Sequence, residues 1–226
     1  MKLSIITVNL NNKEGLQRTI DSVLSQTFCD FEWIVVDGGS VDGSRFLLDQ
    51  YTEYITRWVS EPDSGVFNAM NKGVRMARGE YVQFINSGDA FYNNDALRVA
   101  VCNGLTADIV FGNCLIESPI EGDTITTYPN LTENLYNTNK LFVYGGIPHP
   151  STFIRRGLLL EDPYDETLKF VSDWKFCLKK RMEGKSFKYI NETIGLFSYG
   201  GMSIKYSKLA DRERLKVLEE ELHIIL

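Results

Sequence analysis

The turn Ile85-Asn86-Ser87-Gly88-Asp89 follows a short apolar run from Tyr81 to Ile85. A carboxylate at the end of a buried parallel strand lies where open α/β sheets bind ligands, and it can hold a divalent ion against phosphate oxygens. The same residue types also serve as plain loop punctuation, because Asn, Ser, Gly and Asp favour turns for local steric and hydrogen-bonding reasons. Three further loops give the turn its company. Thr7-Val8-Asn9 closes one apolar run, Asp37-Gly38-Gly39-Ser40-Val41-Asp42-Gly43-Ser44 closes a second, and Glu61-Pro62-Asp63-Ser64-Gly65 follows a third. Each taken singly reads as a turn or a helix cap, and Asp42 or Ser44 can do no more than cap a helix. Four coinciding ends deliver polar groups to one edge. Such an edge can hold a nucleotide: a rim for base and ribose, glycines for close approach, and a carboxylate to carry a metal for a diphosphate.

Four loops share an edge only if the strands before them run the same way. Leu3 to Leu10 reads as a buried strand, followed by a helix capped near Asn12 with Leu16, Ile20, Val23 and Leu24 on one face. Phe31 to Val36 is a second strand, a helix runs from Asp42-Gly43-Ser44 to about Tyr54, and Ile55 to Val59 is a third strand. Val66, Met70, Val74 and Ala77 stripe another helix, and Tyr81 to Ile85 is the fourth strand. This rhythm predicts an α/β fold with right-handed crossovers and a mostly parallel sheet covered on both faces. The second half is less regular. A strand is expected at Ile109 to Phe111, a polar loop or lid over 117–144, a helix from Ser172 to Met182, and strands at Phe187–Ile190 and Ile194–Ser198. Leu215, Leu218, Leu222 and Ile225 form a narrow stripe that suits packing on the same domain, a homodimer contact or a membrane surface.

A chain of 226 residues, 43% hydrophobic, can bury a full core without staples, and is expected to form one domain over 1–226. Cys29, Cys102, Cys114 and Cys177 lie far apart with no Cys-x-x-Cys pair, which argues against a zinc site or a disulfide framework and for reduced thiols in the cytoplasm. No apolar run approaches the roughly 20 residues of a membrane span, and the segment from Met1 to Ile6 is too short and too strand-like for a secretion signal. The net charge of −6 argues against nucleic acid as a partner. No Gly-x-Gly-x-x-Gly follows the first strand, where Asn9-Leu10-Asn11-Asn12 stands, so a dinucleotide-dependent oxidoreductase is disfavoured. The only histidines are His149 and His223, and a Ser-His-Asp hydrolase would have to rest on His149, wedged between Pro148 and Pro150.

The ordered set of motifs resembles the inverting family 2 glycosyltransferases with the GT-A fold. It comprises Thr7-Val8-Asn9-Leu10-Asn11, Val35-Val36-Asp37-Gly38-Gly39-Ser40, the run from Ser60 to Gly73, and Phe84-Ile85-Asn86-Ser87-Gly88-Asp89. The likeness resumes at Pro148-His149-Pro150-Ser151-Thr152-Phe153, at Val171-Ser172-Asp173-Trp174 and at Gly200-Gly201-Met202-Ser203. It implies a Rossmann-like sheet flanked by helices, with a nucleotide-sugar-binding half over 1–112 and a mixed acceptor-binding half over 113–226.

Carried onto this sequence, the resemblance implies that Asp37 accepts a hydrogen bond from the base while Thr7 and Asn9 line the base and ribose pocket. Asn71 and Lys72 would run under the ribose and diphosphate, Arg78 would add positive charge nearby, and Ser87 would join the nucleotide site. Asp89 matches the last acid of the family's Asp-x-Asp metal motif. Asn86 and Gly88 stand where acids often occur, so a divalent ion, Mg2+ or Mn2+, would be held mainly through the diphosphate. Asp173 would be the catalytic base that deprotonates the acceptor hydroxyl, although an acid here also suits a helix start. His149 either touches acceptor or diphosphate or packs. The implied donor is a nucleoside diphosphate sugar, a UDP-sugar favoured, and the acceptor a glycan or lipid-linked glycan of surface polysaccharide synthesis, with any attachment to the inner membrane face peripheral. The alternative is a catalytically silent sugar-nucleotide-binding subunit of a glycan assembly complex.

Overall fold

The computed structural model describes residues 2–117, 126–128, 146–198 and 206–222. Gly200-Gly201-Met202-Ser203, His223, Ile225 and most of the polar segment 117–144 lie outside them. Strand β1 (Leu3–Asn9) is buried along its whole length, and its residues alternate between two cores. Leu3 and Ile5 face one side with Leu16, Ile20, Trp33, Leu48 and Leu97; Ile6 and Val8 face the other with Phe67, Met70, Val74 and Phe176. Burial on both faces is what an apolar run without alternation encodes.

β1 pairs in parallel with β2 (Phe31–Asp37) and β4 (Tyr81–Phe84), and β2 pairs in parallel with β3 (Arg57–Ser60). The crossovers are α1 (Lys13–Leu24), α2 (Ser44–Gln50) and α3 (Val66–Met76). The full order is β3-β2-β1-β4-β8-β6-β9-β5, where β5 is Ala90–Phe91, β6 Ile109–Ile116, β8 Thr152–Arg155 and β9 Phe187–Phe197; β7 (Thr126–Tyr128) hangs on β6. Beyond β4 the sheet turns mixed, because β8 lies antiparallel to both β4 and β6. Helices α4 (Ala96–Cys102), α5 (Arg156–Glu161), α6 (Ser172–Met182) and α7 (Ser207–Leu222) complete the described chain. No helix among the described residues is long and apolar enough to cross a membrane.

Several expectations need correction. Helix α2 stops at Gln50 rather than near Tyr54, because the amides of Tyr51, Tyr54 and Ile55 turn back onto Leu48 and Tyr51, and β3 starts only at Arg57. The two expected strands near the end are one, β9, whose polar Asn191–Thr193 stretch is absorbed by a register shift against β6 around Asn113. On α7, Leu215 is exposed, and the buried positions among the described side chains are Ala210 and Val217. The short elements β5, β8, α4 and α5 carry too little periodicity to be read from sequence.

Two glycines set how closely elements approach. A Cβ on Gly73 would lie 2.5 Å from Ile6 Cγ2, so α3 settles directly onto β1. A Cβ on Gly79 would lie 2.7 Å from the backbone nitrogen of Ser4 and 2.8 Å from the carbonyl carbon of Leu3. The Gly79 N–H donates to Ser4 Oγ at 2.8 Å and to the buried Glu32 at 3.1 Å, which fixes the entry to β4. Since backbone rather than a flexible tip must give way, Gly79→Ala should cost about 1–3 kcal/mol of stability. Urea unfolding checks this, and an unchanged midpoint would show that the β1–β4 entry is looser than its contacts imply.

Candidate active site

A cleft of about 600 Å3 opens at the carboxyl ends of β1 and β4. Its walls come from both halves of the chain: Asn9, Asp63, Ser87 and Asp89 from the first, His149 and Asp173 from the second. Polar loops gather here because parallel strands all end on the same edge while their helices return the chain to the other.

The acidic turn is built against α1. Gly88, at φ +104, permits the tight bend, and its N–H donates to Gly15 O at 3.0 Å and Thr19 Oγ1 at 3.0 Å. The buried Thr19 hydroxyl also reaches Asp89 O at 2.7 Å, and Asn12 Nδ2 donates to Ser87 O at 3.0 Å. Asp89 is 6% exposed; its Oδ1 accepts from Ser198 N at 3.2 Å. Burial pushes its carboxyl up to about 7, with only partial relief from the Ser198 amide and the Arg18 guanidinium. In the same turn, Asn86 Oδ1 is buried without a hydrogen-bond partner among the described residues. A buried carboxylate short of positive charge beside an orphaned amide oxygen is a set of hard oxygen donors, which fits a divalent ion of the Mg2+ or Mn2+ type. Among the described residues no group of three or more His, Cys, Asp or Glu comes together to hold a metal by itself.

Also lining the cleft, Asp173 is the second residue of α6, with a 30% exposed side chain. His149 sits in a 3-10 turn before β8, its Nδ1 3.9 Å from Asp173 Oδ2. Its ring stacks on Phe84 at 4.9 Å, and Nε2 lies 3.4 Å from the Tyr164 hydroxyl. Burial depresses its pKa although the Asp173 charge acts the other way, so the imidazole is neutral near pH 7.

The other expected residues are placed as follows. Asn9 lines the cleft, its Nδ2 donating to Asp37 Oδ1 at 2.7 Å while its buried Oδ1 has no partner among the described residues. Asp37 is fully buried below the rim and takes further hydrogen bonds from Ser40 Oγ at 2.5 Å, Ser40 N at 2.9 Å and Ser60 Oγ at 2.6 Å. These donors outweigh its burial and hold its carboxyl below the usual range. Thr7 turns into the core and accepts from Trp33 Nε1 at 3.1 Å. Asn71 is spent on the backbone of Tyr164 and on Glu166, at 2.8–3.0 Å. Lys72 pairs with Glu61 at 2.9 Å and donates to Pro62 O at 3.1 Å.

Arg78 does not lie near the site. It follows α3, whose 11 residues carry the chain about 16 Å back to the opposite edge of the sheet, where the Arg78 amide donates to Glu32. A cation on the cleft itself is Lys169, which has no ion-pair partner among the described residues. The amides of Lys169 and Phe170 are held by the Glu213 carboxylate of α7, each at 2.9 Å. No local motif marks Lys169, which only the fold brings to the cleft, and none marks Thr19, which stays buried behind the acidic turn; Asn12, expected as a helix cap, also lines the cleft.

A model described as "Glycosyl transferase family 2" matches residues 4–160. The chain is 29% identical over 224 residues to the "PGL/p-HBAD biosynthesis glycosyltransferase" of Mycobacterium bovis, covering 95% of this chain and 83% of that one. It is 26% identical to the "Uncharacterized glycosyltransferase EpsJ" of Bacillus subtilis, covering 87% of this chain and 60% of that one. Among solved structures it resembles S. aureus TarS 1-349 in complex with UDP-GlcNAc, with a TM-score of 0.75, 19% identity, and coverage of 97% of this chain and 65% of that one. It also resembles the mannosyltransferase PcManGT of Pyrobaculum calidifontis in complex with GDP-Man and Mn2+, with a TM-score of 0.74, 16% identity, and coverage of 100% of this chain and 65% of that one. Against a longer TarS chain it spans 43% of the length. The sheet and its helices form the GT-A fold of these enzymes, and the chain belongs to glycosyl transferase family 2.

Proposed function

We propose that the protein transfers a sugar from a nucleoside diphosphate sugar to a hydroxyl of a glycan or lipid-linked acceptor in surface polysaccharide synthesis, by a single displacement that inverts the anomeric carbon. The observation that carries the reading is that Asp89 and Asp173, delivered by the two halves of the chain, line one cleft. The turn that carries Asp89 suits a diphosphate, and Asp173 offers a base to an attacking hydroxyl. The unpartnered Oδ1 of Asn9 in the rim suits a ribose or base donor.

Asp89, with Asn86 Oδ1 and the diphosphate oxygens, would hold a divalent ion, which when bound stabilises the charge on the leaving diphosphate. Lys169 adds an exposed positive charge at the rim, the part that Lys72 and Arg78 do not fill. Asp173 takes the proton of the acceptor hydroxyl as its oxygen attacks from the face opposite the diphosphate. The neutral imidazole of His149 stands beside that carboxylate, its Nδ1 3.9 Å from Asp173 Oδ2. Asn71 and Glu213 act at a distance, tying the segment from Tyr164 to Phe170 to α3 and α7. The charge on the leaving group grows only toward the transition state, so these contacts accelerate the reaction rather than merely tighten binding.

The reading is tested by incubating the protein with a panel of UDP-, GDP- and dTDP-sugars in Mg2+ or Mn2+ and measuring nucleoside diphosphate release. Slow release from at least one donor, abolished by chelator, is expected. Binding of a donor with no release, with or without an acceptor mixture, would make the chain a silent binding subunit.

A further inference from the structure

A carboxylate that reads a base must offer it a lone pair, and Asp37 has none to offer. Its four intramolecular donors fill the roughly four acceptor positions of a carboxylate. Asp63 is placed differently. It lines the cleft with Leu10 and Asn12, and only its Oδ1 is engaged, accepting from Gly65 N at 2.9 Å in a tight turn that fixes the side chain. Its Oδ2 has no hydrogen-bond partner among the described residues.

The position of that oxygen depends on a glycine. A Cβ built on Gly38 would lie 2.5 Å from Asp63 Oδ2 and 3.2 Å from Leu10 Cδ1, so the carboxylate occupies the room a side chain at 38 would take. The loop is braced there from two sides. Lys72 holds Glu61 and Pro62 O, and Glu61 N donates to Asp37 O at 3.0 Å. Asp37 and Lys72 thereby set the place of Asp63 without facing the cleft.

We infer that Asp63 Oδ2, standing in the space left by Gly38, is the acceptor that reads the donor's base, taking a hydrogen bond from a ring imide-type N–H. The inference rests on the cleft being the nucleotide-sugar site proposed above. Leu10, 55% exposed beside it, supplies an apolar surface for the face of the base. Uracil and guanine carry such an N–H. Cytosine and adenine present a ring lone pair at the equivalent edge, which would meet the carboxylate as acceptor against acceptor, so the selection is as much repulsion as attraction.

The test is calorimetric titration of wild type, Asp63→Ala and Gly38→Ala with UDP, GDP, CDP and ADP in Mg2+, with melting temperatures run alongside. Wild type should bind UDP or GDP at least about tenfold tighter than CDP and ADP, the scale of one hydrogen bond to a charged group. Asp63→Ala should lose most of that preference while melting as wild type does. Gly38→Ala should do the same, because its methyl displaces the carboxylate. Base preference that survives in Asp63→Ala, or is missing in wild type, would overturn the role of Asp63 and leave the cleft a donor site. Wild type that binds none of the four would overturn the donor-site reading itself, and the inference with it.

Discussion

Asp173→Asn should lower sugar transfer by about 10²- to 10⁴-fold, the usual cost of removing a general base, with donor affinity and melting temperature unchanged. The substitution keeps the size of the side chain and most of its hydrogen bonding but removes the basic oxygen. The interaction it deletes exists only as the acceptor oxygen attacks, so the loss belongs to turnover rather than to binding. The competing view is that Asp173 is there for its helix. At the second position of α6 it faces the positive end of the dipole, a contribution of at most about 1 kcal/mol at an exposed site. That view predicts a small fall in melting temperature and near-normal transfer. Three measurements on one variant separate the two: thermal melting, nucleotide affinity and transfer.

The second large effect belongs to Asp89. If it and the diphosphate together hold the ion, Asp89→Ala should raise the metal concentration for half-maximal turnover by at least about tenfold, since even residues behind a metal's direct ligands cost 10- to 100-fold in affinity. The turn itself should survive, because its frame is main-chain and Thr19 hydrogen bonding rather than the carboxylate. Asp89→Asn serves as a shape-conserving control and should share the metal defect. Turnover equally insensitive to chelator in wild type and both variants would remove the metal role from Asp89.

The parallel half of the fold was legible because its signals are local. Runs such as Ile34–Val36 are buried on both faces and show no alternation, while α1 and α3 show clean stripes. What could not be read depends on contacts far apart in sequence. β8 is only four residues long and takes its antiparallel place from both β4 and β6, and β9 bridges a polar stretch through a register shift. In the site, Asn9, Ser87, Asp89 and Asp173 reach the cleft as their positions at strand and helix ends imply. Asp37, Asn71 and Lys72 sit in recognisable motifs, but their side chains are consumed by partners distant in sequence, such as Asn9 and Ser60 for Asp37, Glu166 for Asn71 and Glu61 for Lys72, which no local pattern reveals; only the Ser40 bonds to Asp37 are local. Arg78 was misplaced for a simpler reason: a crossover helix carries whatever follows it to the far edge of the sheet. Asp63 lay in plain view in its turn, and only the room that Gly38 leaves for its carboxylate gives it a role.

The central claim, an inverting displacement driven by Asp173, is tested most directly by the stereochemistry of the first product. Proton NMR of an α-linked sugar nucleotide hydrolysed slowly by the protein in Mg2+ or Mn2+, followed from the earliest time points, reports which anomer forms before mutarotation mixes them. The β anomer should appear first, and Asp173→Asn should form it far more slowly. First appearance of the α anomer, or an undiminished rate in Asp173→Asn, would contradict that claim.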